Sequence, residues 1–122
     1  MNRVLVVDDS LIQRTQIAEV IKECGHQPVL AADGLEALNI AQKNSDLKMI
    51  ICDFNMPIMD GLTMCKKLRA QEAFSLTPII MLTSEACREY REIAVNLKIS
   101  AWVLKPFNID VLKEVIGNLV PS

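Results

Sequence analysis

Six side chains in this 122-residue chain have the right chemistry to handle a metal ion or a phosphoryl group, and each follows a short apolar run. Asp8 and Asp9 follow residues 4–7, Asp53 follows 49–52, Thr83 and Ser84 follow 79–82, and Lys105 follows 101–104. Asp, Ser and Thr begin turns and cap helices, which accounts for any one of these positions. It accounts poorly for the set. Three carboxylates at neighbouring strand ends repel, and each is harder to ionise unless a cation shares the site. Hard oxygen donors at that density suit Mg²⁺ or Mn²⁺ with waters completing an octahedron, and Lys105 alone cannot balance three acids. A carboxylate beside a divalent ion, a lysine and a hydroxyl is an arrangement for phosphoryl transfer. Asp53 is then the in-line nucleophile, and the metal and Lys105 neutralise the phosphoryl oxygens. With no candidate catalytic histidine, acid–base hydrolysis of the usual kind is disfavoured.

For these residues to meet, the ends of the apolar runs must lie along one edge. Five runs, at residues 3–7, 27–31, 48–52, 78–82 and 101–104, alternate with five longer segments of helical period. Several runs are apolar at consecutive positions, as in strands covered on both faces. Between them, Ile17, Ala18, Ile21 and Cys24 share one helical face, as do Ala86, Tyr90, Ile93, Ala94 and Leu97, and Leu112, Val115, Ile116 and Leu119. Ser10 with Gln13 and Asp33 with Glu36 read as capping boxes, and Asp60 and Asn108 as N-caps. Gly25 is placed to end the first helix in a left-handed conformation. Alternation repeated five times with right-handed crossovers predicts a doubly wound α/β domain, a parallel sheet with helices on both faces. Ligands of such sheets bind beyond the carboxyl ends of the strands.

Composition narrows the function. Thirteen basic against fifteen acidic residues give a net charge of −2, and the aromatics are one Trp, one Tyr and three Phe, so a basic or stacking nucleic-acid surface is not expected. No apolar run approaches the ~18 residues of a membrane span, and the N-terminus does not read as a signal peptide, so a cytoplasmic protein is expected. Cys24, Cys52, Cys65 and Cys87 form no C-x-x-C pair, and His26 is the sole histidine; a zinc site lacks its ligands, and the thiols read as buried small hydrophobes.

The chain resembles the receiver domain of two-component response regulators, and among them the stand-alone, chemotaxis-type receivers. The resemblance rests on VLVVDDS (4–10), DGLEAL (33–38), IICDFNMPIMDG (50–61), PIIMLTS (78–84) and AWVLKPF (101–107), with Thr83 30 residues and Lys105 52 residues after Asp53. It implies one receiver domain over 1–122, a flavodoxin-like fold with strand order 2-1-3-4-5, and a monomer. It also implies that Asp53 accepts a phosphoryl group from a histidine kinase or phosphotransfer protein. Asp9 is then a direct Mg²⁺ ligand, Asp8 acts through water, and Asp53 and the backbone carbonyl of Asn55 complete the site. Lys105 pairs with the phosphoryl oxygens, the Lys105-Pro106 bond is cis, and Thr83 is the switch hydroxyl. Trp102 takes the place of the switch aromatic, and its burial is expected to change on phosphorylation. Asn55 and Glu85 tune how long the acyl phosphate lasts. The protein is thus expected to be no enzyme in the ordinary sense, but a phosphoacceptor with intrinsic phosphotransfer and autodephosphorylation activity. Its output is expected on the face of helix four, strand five and helix five, toward a partner such as a flagellar motor switch component.

Two residues depart from the family pattern. Lys98 stands where a Gly usually follows helix four, and Ala101 where a Gly precedes the switch aromatic. The sequence stops just past the fifth helical segment, which reads as a receiver without an output domain; a fragment of a longer regulator, or a phosphorylation-independent adaptor, is the alternative. A phosphatase resembling the haloacid-dehalogenase group would want a second Asp where Asn55 stands. A flavin-binding protein of the same sheet order would want a phosphate-binding loop where Asp8 and Asp9 stand.

Overall fold

The computed structural model describes residues 2–84 and 90–120. Strands β1 (Arg3–Val7), β2 (Gln27–Ala31), β3 (Leu47–Asp53), β4 (Ile79–Thr83) and β5 (Ala101–Leu104) form one sheet in the order β2-β1-β3-β4-β5. Every pairing is parallel. The helices are α1 (Leu11–Glu23), α2 (Gly34–Lys43), α3 (Gly61–Arg69), α4 (Arg91–Asn96) and α5 (Ile109–Leu119).

Strand side chains alternate between two cores. Leu5, Val7, Ile50, Cys52, Ile79 and Met81 face Ala37 and Ala41 of α2 and Leu62, Cys65 and Leu68 of α3. Val4, Val6, Met49, Ile51, Ile80 and Leu82 face Ile17, Val20 and Ile21 of α1 and Leu112 and Ile116 of α5. The consecutive apolar runs arise because both faces of the sheet are covered.

Most element boundaries expected from the sequence hold, and the exceptions have local causes. β3 extends one residue beyond the expected run at each end, taking in Leu47 and Asp53. β4 runs Ile79–Thr83 rather than 78–82. Pro78 has no N–H to give a ladder, although its carbonyl still accepts from the Ile50 N–H at 2.9 Å. A 3₁₀ turn, Glu72–Phe74, buries Phe74 and has no periodic signature.

Asp33, Asp60 and Asn108 cap as expected, accepting from the N–H groups of Glu36, Thr63 and Asp110 at 2.8 Å each. Ser10 accepts from Gln13 N at 3.2 Å, but neither capping box closes on its own first residue. The Ser10 N–H donates instead to Asp8 Oδ1 at 2.9 Å, and Glu36 Oε2 accepts from Ala32 N at 3.3 Å. Asp8 has displaced the Gln13 amide as the partner of Ser10.

α1 and α4 end alike. Beyond α1, Gly25 N–H donates to Lys22 O at 3.0 Å and His26 N–H to Ile21 O at 3.1 Å, with Gly25 at φ +85°. Beyond α4, Lys98 N–H donates to Val95 O and Ile99 N–H to Ala94 O, both at 3.0 Å, with Lys98 at φ +57°. Both are Schellman motifs. Glycine adopts the left-handed residue freely, whereas a lysine there is disfavoured by about 1 kcal/mol.

Candidate functional site

The carboxyl ends of β1 and β3 lie side by side, since Val7 pairs with Cys52. That register brings Asp8, Asp9 and Asp53 together, each with a carboxylate oxygen within 4.8 Å of the others. Asp8 and Asp53 are buried and Asp9 is exposed. Lys105, from the loop after β5, reaches back to place Nζ 2.8 Å from Asp53 Oδ1. The Lys105-Pro106 peptide bond is cis. Thr83, fully buried at the end of β4, pairs with Leu104, and its carbonyl accepts from Lys105 N–H at 2.7 Å. Ser84 is exposed beside it.

α3 begins against the same strand end. A Cβ on Gly61 would lie 2.6 Å from the Asp53 carbonyl oxygen and 3.1 Å from the Phe54 Cα, so only glycine lets the helix start this close. Between them, Ile58 is the centre of a tight turn at φ +71°, where Met59 N–H donates to Pro57 O at 2.7 Å. Asn55 is exposed in this loop. Glu85, together with Ala86 and Cys87, lies outside the described residues.

The electrostatics of the cluster are unbalanced. Asp53 has Lys105, but the Asp8 carboxylate has no cation in hydrogen-bond contact among the described residues. Asp8 Oδ1 accepts from Ser10 N–H, its backbone carbonyl accepts from Arg14 Nη1 at 2.7 Å, and its buried Oδ2 has no partner. Burial is the main cause that raises the Asp8 pKa above its ordinary 3.8; Asp53 and Asp9 push the same way, against the Ser10 hydrogen bond and Lys105. An unpartnered buried carboxylate oxygen beside two further carboxylates is the donor set a hard divalent cation satisfies. The residues present therefore fit Mg²⁺ or Mn²⁺.

Phe54, next to Asp53, carries a contact that the sequence does not announce. Its ring centroid lies 5.0 Å from that of Tyr90 and 5.8 Å from that of Trp102, both tilted by 54°. Trp102 is half-buried and pairs with Met81 on β4. The only signal for the trio is that three of the chain's five aromatics fall beside Asp53, within a helical stripe and on the last strand. Cys52 and Cys65 are buried free thiols, and Cys24 is partly buried. The neighbouring Cys65 thiol, then burial, pushes the Cys52 thiol well above its usual pKa of 9.0, which disfavours the reactive thiolate.

A five-stranded parallel sheet in this order is a flavodoxin-like fold, and here its carboxyl edge carries an acidic cluster and a lysine. The chain belongs to the response regulator receiver domain family, whose profile matches residues 4–117, and is thus a response regulator of a two-component system. It is 39% identical over 119 residues to a chemotaxis protein CheY homolog of Campylobacter jejuni, covering 97% of this chain and 92% of that one. Chemotaxis protein CheY1 of Helicobacter pylori is 40% identical over 113 residues, covering 92% and 91%. Among solved structures, Vibrio cholerae CheY4 superposes with a TM-score of 0.92 at 37% identity, covering 98% of this chain and 99% of that one. The receiver domain of the sensor histidine kinase PA1611 of Pseudomonas aeruginosa, described with a magnesium ion coordinated in its active-site cleft, superposes with a TM-score of 0.87 at 28% identity, covering 99% and 98%. No helix among the described residues is long and apolar enough to cross a membrane.

Proposed function

We propose that residues 1–122 act as one chemotaxis-type receiver in which Asp53 takes a phosphoryl group from the phosphohistidine of a histidine kinase or phosphotransfer protein. The observation that carries this reading is a buried Asp53 carboxylate held 2.8 Å from Lys105 within the three-acid cluster. An Asp53 carboxylate oxygen attacks phosphorus in line, the P–N bond to the donor histidine breaks, and the imidazole leaves with the electron pair. Lys105 neutralises charge on the phosphoryl oxygens and ceases to pair with Asp53 alone. Asp8, Asp9, Asp53 and the Asn55 carbonyl are the groups that would hold Mg²⁺ or Mn²⁺. The bound ion would supply the remaining positive charge at the phosphoryl oxygens. Leu11 and Ile12, shortly after Asp9 in the chain, and Ile58, in the loop after Asp53, are exposed apolar side chains that suit contact with a protein donor.

Phosphorylation draws the Thr83 hydroxyl and Lys105 toward the new phosphoryl group. Phe54 follows Asp53 directly and makes a tilted ring contact with Trp102, so a shift at Asp53 reaches the indole through one ring contact. Trp102 then changes its burial, and the surface formed by α4, β5 and α5 meets a downstream protein such as a flagellar motor switch component. Relatives named as chemotaxis proteins support that output. Asn55, exposed in the loop after β3, and Glu85, two residues after Thr83 in the sequence, tune the rate of self-dephosphorylation. Indole emission tests the reading: phosphoramidate with Mg²⁺ is expected to shift Trp102 emission and quenching in the wild type and not in Asp53→Asn. Unchanged emission with Asp53 fully phosphorylated would remove Trp102 from the switch.

A further inference from the structure

Arg69, the last residue of α3, uses all three of its guanidinium nitrogens on backbone carbonyls. Nε donates to Leu97 O at 2.8 Å, Nη1 to Phe74 O at 2.7 Å and Nη2 to Lys98 O at 3.0 Å. Leu97 is the C-cap of α4, and Lys98 is the left-handed residue of its Schellman motif. Carbonyls at a helix end lack intrahelical donors and carry partial negative charge, so a planar cation with a fixed fork fits them. At the end of α1 the same backbone motif forms around Gly25. The motif built on glycine has no guanidinium on its carbonyls among the hydrogen bonds of the described residues, and the motif built on lysine has one.

The conformation of Lys98 matters because it aims the chain into β5. Ser100 N–H donates to Ile79 O at 2.8 Å and Ser100 Oγ accepts from Ile79 N–H at 3.2 Å, which sets β5 against β4. Two residues on, Trp102 pairs with Met81 and meets Phe54. If Lys98 left the left-handed region, the chain would enter β5 at a different angle and carry Trp102 with it.

We propose that Arg69 is a positioning residue that holds the Leu97–Lys98 turn, keeps a lysine in a glycine-type conformation, and so fixes the resting placement of Trp102. Its link to signalling rests on the switch reading above; its hold on the turn does not. Lysine cannot replace it, because a single ammonium group lacks the guanidinium's fixed fork of donors that reaches these three carbonyls.

Amide hydrogen exchange on the unphosphorylated protein tests this directly. In Arg69→Met, the Lys98 and Ile99 amides are expected to exchange roughly ten-fold faster or more, while Gly25 and His26 at the matching turn are unchanged. Arg69→Lys is expected to behave like Arg69→Met. Adding Lys98→Gly to Arg69→Met is expected to restore both the protection and the Trp102 emission of the wild type, because glycine holds the turn unaided. Arg69→Gln, which keeps a side-chain amide donor, gives an intermediate acceleration and serves if the Met variant does not fold. Equal exchange in wild type and variant would overturn the proposal. So would acceleration no larger at Lys98 and Ile99 than at Gly25 and His26, or failure of Lys98→Gly to rescue. Failure of Asp53 to accept a phosphoryl group would sink the switch reading and leave these exchange rates as they are.

Discussion

At the amino-terminal end of the sheet, Arg3 and Arg69 are matched to partners. Arg3 Nη1 reaches Asn44 Oδ1 at 2.6 Å and Asp46 Oδ1 at 3.1 Å, Arg69 serves three carbonyls, and α1 and α4 close on paired backbone bonds. At the carboxyl end, three carboxylates crowd within 4.8 Å, and Asp8 Oδ2 and Gln13 Nε2 are buried without partners. The one comparable lapse at the amino end, among the described residues, is His26 Nδ1. A fold built only for stability would have paired Asp8 or replaced it with an apolar residue. Unsatisfied polar groups gathered at one edge mark the place where something else, an ion or a phosphoryl group, completes the pairing.

The contrast breaks most severely at Lys105. Lys105→Ala removes the cation in contact with Asp53 and is expected to slow phosphorylation by a small-molecule donor on the order of 10²-fold, read as the time course of intact mass. A rate within about two-fold of wild type would remove Lys105 from the chemistry.

Asp8→Asn sharpens the contrast by removing a charge that the metal-free fold cannot satisfy. The variant is expected to be more stable by roughly 1–3 kcal/mol in denaturant unfolding without metal, the scale of one unsatisfied buried polar group. Its sign has a pH signature. The folded-state pKa of Asp8 lies above 3.8, so between 3.8 and that raised value the folded protein binds more protons than the unfolded chain, and stability falls as pH rises through the window. The gain from Asp8→Asn is therefore complete above the raised pKa and absent below 3.8. A gain that persists unchanged about one pH unit below that value would assign it to packing instead.

Mg²⁺ is expected to close the gap between the two ends. The melting temperature of the wild type should climb once the ion passes its dissociation constant, by the equivalent of about 1.4 kcal/mol at tenfold excess, and that of Asp8→Asn should climb far less. A melting curve indifferent to millimolar Mg²⁺ would contradict the metal site. The smallest effect belongs to the amino end. Asp46→Asn loses an exposed ion pair while Arg3 keeps Asn44, so its stability is expected to change by under about 1 kcal/mol with no change in the response to Mg²⁺.

Much of the carboxyl end was legible in the sequence. Asp8, Asp9, Asp53, Thr83 and Lys105 each follow an apolar run, and parallel strands place such ends on one edge. The features that stayed hidden depend on three-dimensional neighbours. Gln13 reads as half of a capping box, but Asp8 takes the Ser10 N–H, a competition spacing cannot rank. Arg69 looks like an ordinary basic residue in the last turn of a helix, yet its carbonyl partners lie up to 29 residues away. Lys98 was visible as a departure from the family's glycine, while its retention of φ +57° was not. Phe54 reads as one more apolar residue after Asp53, and only the folding of β5 beside β4 brings Trp102 against it.

That the crowded acids serve to receive a phosphoryl group on Asp53 is tested most directly by intact mass after incubation with acetyl phosphate and Mg²⁺, on wild type and Asp53→Asn. One added phosphoryl group on the wild type, lost on chelation of the metal beforehand and absent in the folded variant, is the predicted result. No addition to a folded wild type, or equal addition to Asp53→Asn, would contradict it.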